Sequence, residues 1–248
     1  MKRLVMPMFR YGEADWDADY MKWGLHDEAT QIEEAESVLR LVGKRKPLRI
    51  LDLACGIGRH AVHYAKHGHQ VTGLDISETF IGEARKLARE MGVNVSFEFG
   101  DIRKLAYRDC FDVVTFIEKA YNDEAIVRAI YDCLVKRGLF IQDMRNPEHP
   151  RTKAVTGDWE KWHEEGGVFH LERHWNTDDG IHHDLWIEIN PSVGKIIERT
   201  NECQAGAPHD VQNWLRDAGF RNLEWRTMSG EPFTEGPEPR WLWLVARK

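Results

Sequence analysis

The chain has 248 residues, 42% of them apolar and 30% charged, with a formal net charge of −7 and a pI near 6.0. That length buries one large core, as one domain or one domain with an appendage. The acidic balance lacks the basic footprint that nucleic acid or an anionic membrane surface requires, and no apolar run reaches the ~18 residues that span a bilayer. Cys55, Cys110, Cys133 and Cys203 form no CxxC pair, and the N-terminal MKRLVMPMFRYGEADWD lacks a signal-peptide core. A reducing, cytoplasmic setting is the expectation.

Residues 27–43, DEATQIEEAESVLRLVG, carry apolar positions at helical spacing and stop on Gly43. LRILDLAC (48–55) reads as a buried strand and GRHAVHYAKHG (58–68) as a helix ending at Gly68. QVTGLDIS (70–77) is a second strand, with Ser77 as N-cap of the helix ETFIGEARKLAREMG. Strands follow at 93–101 and 111–118, then a helix over 122–138 with a glycine stop, then a strand at 139–145. Strands alternating with helices predict right-handed βαβ units and a parallel, doubly wound α/β layer.

Residues 146–205 break this rhythm. VFHLERHWN (168–176), IHHDLWIEI (181–189) and GKIIERTNEC (194–203) alternate with period two and are separated by turn sequences. They predict an antiparallel meander inserted as a lid. HDVQNWLRDAGF (209–220) is an amphipathic helix, and RNLEWRTM and RWLWLVARK read as two closing strands.

The first strand runs into Gly56-Ile57-Gly58-Arg59-His60-Ala61, which fits the GxGxxG/A pattern of dinucleotide sites. An NAD-linked oxidoreductase is therefore one reading, with Asp75 near the ribose. Three acids argue for a different ligand. Asp52, Asp75 and Asp101 lie in or at the ends of successive strands, on the sheet edge where doubly wound folds bind ligands. Carboxylates there suit hydroxyls, amines and positive charge and disfavour a pyrophosphate.

These residues resemble a known family. Leu51-Asp52-Leu53-Ala54-Cys55-Gly56-Ile57-Gly58 is similar to the first motif of class I S-adenosylmethionine-dependent methyltransferases. Gly73-Leu74-Asp75-Ile76-Ser77, Gly100-Asp101-Ile102 and Phe111-Asp112-Val113-Val114 resemble the next three, in order, and the resemblance covers about 15–145 and 207–248. It implies a Rossmann-like seven-stranded sheet closed by an antiparallel hairpin. It also implies roles. Gly56 and Gly58 would let backbone approach the cofactor, beside Ala54 and Ile117. Asp52 would attract the methionine ammonium. Asp75 would accept from both ribose hydroxyls. Asp101 and the Ile102 backbone would read the adenine edge, with Ile76 and Phe80 on its face. Trp16-Asp17-Ala18-Asp19-Tyr20 resembles a YDxxY segment of small-molecule members, with Trp in place of the first Tyr, so Tyr20 would close over the cofactor.

Methyl transfer from a sulfonium needs an in-line nucleophile in a dry site, and a base only if that nucleophile must lose a proton. The family's substrate end lies after the fourth and fifth strands. Glu118, Tyr121 and Arg145 are the candidates for substrate contact there. Glu118-Lys119-Ala120-Tyr121 stands where nucleic-acid amino methyltransferases carry an NPPY-like tetrapeptide. A small-molecule acceptor is expected, with no nucleic-acid partner, no membrane and no metal. A non-catalytic binder of the same cofactor is the remaining alternative. The expected organisation is an N-terminal helical cap at 1–43, a cofactor-binding core at 44–145, the antiparallel lid at 146–205, and a helix with closing hairpin at 206–248.

Overall fold

A computed structural model describes residues 2–6, 28–43, 47–117, 123–146, 148–149, 159–165, 167–176, 182–203, 208–239 and 241–248. Its elements, in chain order, begin with β1 (Lys2–Met6), α1 (Glu28–Val42), β2 (Arg49–Leu53), α2 (Arg59–Lys66), β3 (Gln70–Asp75), α3 (Glu78–Glu90) and β4 (Ser96–Phe99). β5 (Phe111–Phe116), α4 (Glu124–Cys133) and β6 (Leu134–Arg145) complete the α/β run. β7 (Trp159–Glu165), β8 (Val168–Asn176), β9 (His182–Asn190) and β10 (Lys195–Cys203) form the insertion, and α5 (Pro208–Ala218), β11 (Arg221–Thr227) and β12 (Trp241–Arg247) close the chain.

The main sheet has seven strands in the order β11-β12-β6-β5-β2-β3-β4. β4, β3, β2, β5 and β6 are parallel, and β12 and β11 add antiparallel. Strand side chains alternate between two apolar clusters, so both faces are buried and the strands read as nearly continuous apolar runs. Ile50, Val113, Ile141 and Trp243 face one cluster with α1, α2 and α3; Leu51, Val114, Phe140 and Leu244 face the other with α4 and α5. The strand order reverses between β2 and β5, which sets a crevice at their C-terminal ends. At the opposite end Arg49 clamps Asp112 through Nε and Nη2 at 3.1 Å each, so Asp112 joins β2 to β5 far from that crevice. The guanidinium holds the Asp112 carboxyl below the usual carboxylate range.

Two differences from the sequence reading have clear causes. The helix expected over 122–138 ends at Cys133, because Leu134 already pairs with Phe111 and the Cys110 N–H bonds to the Cys133 carbonyl. The glycine stop at Gly138 is therefore not used as a helix end; Arg137 takes the left-handed conformation instead, with φ 68°. The insertion is also larger than a three-stranded meander. β7 pairs with β8, and Lys2–Met6, expected within a helical cap, forms a strand parallel to β10. The result is a second sheet ordered β1-β10-β9-β8-β7. No helix among the described residues is long and apolar enough to cross a membrane.

Candidate active site

The turn after β2 is built from unusual backbone. Ala54, Gly56 and Gly58 all lie in the left-handed region, with φ of 51°, 54° and 79°. Such a conformation costs an L-residue about 1–2 kcal/mol, so Ala54 marks strain and the two glycines relieve it. The glycines differ in their surroundings. A Cβ on Gly58 would stand 2.6 Å from the Phe97 ring and 2.9 Å from the Ala84 methyl, whereas a Cβ on Gly56 would meet nothing within 4 Å. Gly58 is thus required by the packing of α2 and α3 against β4. Gly56 instead fronts open space, a difference that the shared expectation for the two did not contain.

Asp75, buried at the end of β3, holds this turn. Its Oδ2 accepts the Gly56 N–H at 2.8 Å and its Oδ1 accepts the Ser77 N–H at 2.9 Å. Ser77 caps α3, its hydroxyl accepting the Phe80 N–H at 3.0 Å. One carboxylate therefore fixes the starts of two loops that face the crevice.

Asp52 sits deeper. It is 2% exposed, and the Thr115 hydroxyl of β5 donates to its Oδ1 at 2.8 Å, while Oδ2 has no hydrogen-bond partner. Burial pushes this carboxyl above the usual range, against the pull of nearby His60 and of the Thr115 hydrogen bond. A raised folded-state value means that the stabilising protonated form is fully present below the unfolded value near ~4 and is lost as pH rises. Asp52→Asn should therefore stabilise the ligand-free protein, and the gain should widen from about pH 4 toward neutrality. Melting temperatures across that range check this; a constant or reversed difference counts against a carboxyl raised by its burial.

Asp101 is engaged. Arg103 donates to it from Nη2 at 2.7 Å, from Nε at 2.9 and 3.1 Å, and from its backbone N–H at 2.9 Å. The guanidinium beside it holds its carboxyl below the usual range. Ile102 starts the short 3₁₀ turn that Asp101 caps. Of the two apolar candidates near Asp75, Ile76 is 38% exposed and Phe80 only 4%, so Ile76 presents the accessible surface. Ile117, just past β5, is buried in the core. Arg145 ends β6 with its guanidinium 5.5 Å from the Trp241 ring centroid. Next to it, buried Asn146 donates to the Gly236 and Pro239 carbonyls at 3.0 and 2.9 Å, tying the loop before β12 to the end of β6. Tyr20, Glu118 and Tyr121 lie outside the described residues.

Asp52, Ala54, Gly56, Gly58, Asp75, Ile76, Asp101, Ile102 and Ile117 thus come from the C-terminal ends of adjacent strands β2, β3, β4 and β5. Thr115 was missed by sequence reading. Its signal was weak: a hydroxyl in an apolar strand, in parallel register with Asp52.

A methyltransferase domain family matches residues 50–138, the stretch that holds this crevice. Residues 50–138 are a methyltransferase domain by this match. The NAD-linked reading of the glycine turn gives way to this one. A protein of Geobacillus sp. (strain WCH70) that carries a methyltransferase name is 29% identical over 200 residues, 75% of this chain and 79% of that protein. The ubiquinone biosynthesis O-methyltransferase of Xanthomonas euvesicatoria pv. vesicatoria (strain 85-10) is 31% identical over 149 residues, 57% of this chain and 61% of that enzyme. In fold, the chain is similar to the CcbJ methyltransferase from Streptomyces caelestis, with a TM-score of 0.74 at 20% identity over 93% of this chain and 95% of that one.

Proposed function

We propose that this methyltransferase transfers the methyl group of S-adenosylmethionine to a small organic acceptor, and that the crevice at the ends of β2, β3, β4 and β5 holds the cofactor. The observation that carries the site assignment is the open space over Gly56 beside two buried carboxyls, Asp52 and Asp75. The donor set fits the cofactor's groups. Asp52 keeps one oxygen without a partner and lies where an ammonium would offset its burial. Asp75 spends one lone pair of each oxygen on the backbone and keeps the others for ribose hydroxyls. Ile76 supplies an apolar face for adenine, and the Ile102 N–H its ring edge. Asp101 reaches the adenine amino group only when Arg103, whose side chain is 57% exposed, turns aside.

The bound cofactor supplies an electrophilic methyl on a sulfonium. The chain's part is to orient it, exclude water and align the acceptor. A small acceptor is supported by the acidic net charge of −7, by Glu118-Lys119-Ala120-Tyr121 in place of an NPPY-like tetrapeptide, and by the ubiquinone-pathway relative. Glu118, Tyr121 and Arg145 are proposed at the acceptor end. The inserted sheet of β7 to β10 is proposed as its lid.

Calorimetric titration tests this reading. S-adenosylmethionine and S-adenosylhomocysteine should bind in the micromolar range and NAD should not. Asp52→Asn should weaken S-adenosylmethionine by about 10–100-fold, the usual worth of a hydrogen bond to a charged group. Binding of NAD alone overturns the assignment. With an acceptor in hand, Trp186→Ala should slow transfer while leaving cofactor affinity unchanged; equal rates remove the lid proposal.

A further inference from the structure

A second cluster of chemistry-bearing side chains lies where α1 packs on α2. In sequence His63 and His67 are four apart, and α2 (Arg59–Lys66, with His67 as its C-cap) puts them on one face. Their rings stand 4.7 Å apart, centroid to centroid, tilted by 42°. Glu36 reaches them from the middle of α1. Its Oε1 lies 2.8 Å from His63 Nε2 and 3.3 Å from His67 Nε2. The three donor atoms fall within 4.8 Å of one another, the one such convergence of His, Cys, Asp and Glu among the described residues.

The orientation of His67 decides what the cluster suits. Its Nδ1 lies 3.0 Å from the His63 backbone carbonyl, which accepts only if Nδ1 carries the proton. In the neutral ring Nε2 is then a bare lone pair, and it faces a carboxylate oxygen that is also an acceptor. Two acceptors at 3.3 Å repel unless a positive centre lies between them. A carbonyl hydrogen-bonded to the far nitrogen of an imidazole is also the arrangement that orients metal-bound histidines and fixes their tautomer. The side chains of His63, Glu36 and His67 are 16%, 39% and 43% exposed, so an ion reaches them from solvent.

We propose that Glu36, His63 and His67 bind a divalent transition-metal ion of the zinc class. Two imidazoles and one carboxylate are a donor set that zinc accepts, with the fourth tetrahedral position left to water. The ion would cross-link α1 to α2. It would sit outside the cofactor crevice, on the helix that begins directly after Gly58. Its role is to fix the docking of α1, which already bonds α2 through the Arg59 Nη1 and Gln31 Oε1 pair at 2.7 Å. Glu36 lies 27 residues before His63 in the chain, and the packing of α1 on α2 brings it there.

The test uses the full chain without a histidine tag, stripped with a chelator and titrated with zinc chloride by calorimetry. One saturable site in the low micromolar range is expected. His67→Asn should weaken it at least tenfold, and so should Glu36→Gln. His209→Asn, an exposed histidine on α5, should leave it unchanged. At zinc about 100 times Kd the melting temperature should rise on the order of 5–10 °C in the wild type and not in His67→Asn. Cobalt in place of zinc should give the absorption bands of a tetrahedral ion. Absence of saturable zinc binding, or equal binding in wild type and His67→Asn, overturns the proposal. His67 lies at a helix end and is partly exposed, so that variant decides the matter even if Glu36→Gln disturbs folding.

Discussion

Asp75→Ala is expected to abolish S-adenosylmethionine binding and to lower the stability of the ligand-free protein at the same time. The carboxylate accepts the Gly56 and Ser77 N–H groups, at 2.8 and 2.9 Å. Removing it orphans two backbone donors at the edge of a buried site, at about 1–3 kcal/mol each. A total of about 2–6 kcal/mol corresponds to a drop in melting temperature on the order of 5–20 °C for a chain of this size. Asp75→Asn is the sharper probe. An amide offers one acceptor oxygen, so it keeps one of the two backbone bonds and turns an NH2 toward the other donor. Its stability should lie between wild type and alanine, while affinity still falls at least tenfold. Thermal melts and calorimetry on the three proteins read both effects. Wild-type stability in Asp75→Ala would mean that the turn does not depend on this carboxylate. Wild-type affinity in both variants would remove Asp75 from the cofactor site.

Gly58→Ala should cost more stability than Gly56→Ala, and the order should reverse for cofactor binding. Both glycines have positive φ, so each alanine carries about 1 kcal/mol of backbone strain. Only at Gly58 does the new methyl collide, 2.6 Å from Phe97 and 2.9 Å from Ala84. Overpacking of that kind adds about 1–3 kcal/mol, for about 2–4 kcal/mol in all. Gly56→Ala puts its methyl into the open space proposed for the ligand, so about 1 kcal/mol of stability is lost but binding suffers most. Phe97→Leu should recover part of the Gly58→Ala loss, since it withdraws the ring atoms nearest the added methyl. Chemical denaturation of the two single variants and the double variant forms a cycle that isolates this contact. Equal destabilisation by the two glycine substitutions would contradict the packing difference.

Much of the site could be read from sequence because its signals are local. Glycines two apart after an apolar strand specify a turn, and the acids at the ends of the following strands fall on one sheet edge by the topology of βαβ units. The spacing of apolar residues also placed α1, α2, α3 and strands β2 to β5 within a few residues of their observed ends. Period-two alternation found β8, β9 and β10 for the same reason, since neighbouring residues on one strand reveal which face is buried.

What sequence left open depends on partners distant in the chain. The helix before β6 stops at Cys133 rather than at Gly138 because Leu134 pairs with Phe111, a contact that no local propensity encodes. Lys2–Met6 became a strand because β10, more than 190 residues later, offered an edge. The different surroundings of Gly56 and Gly58 follow from Phe97 on β4, and the hydrogen bond on Asp52 comes from Thr115, 63 residues away. Glu36 against His63 and His67 is likewise a product of packing, whereas Arg103 on Asp101 is a contact between residues two apart. The amino-acid pattern by itself determined the helices and strands of the α/β run and the glycine turn between β2 and α2, since these follow from interactions within a few residues. Tertiary structure alone decided which side chain satisfies, charges or crowds each site residue, because those interactions depend on distance in space and not on separation along the chain.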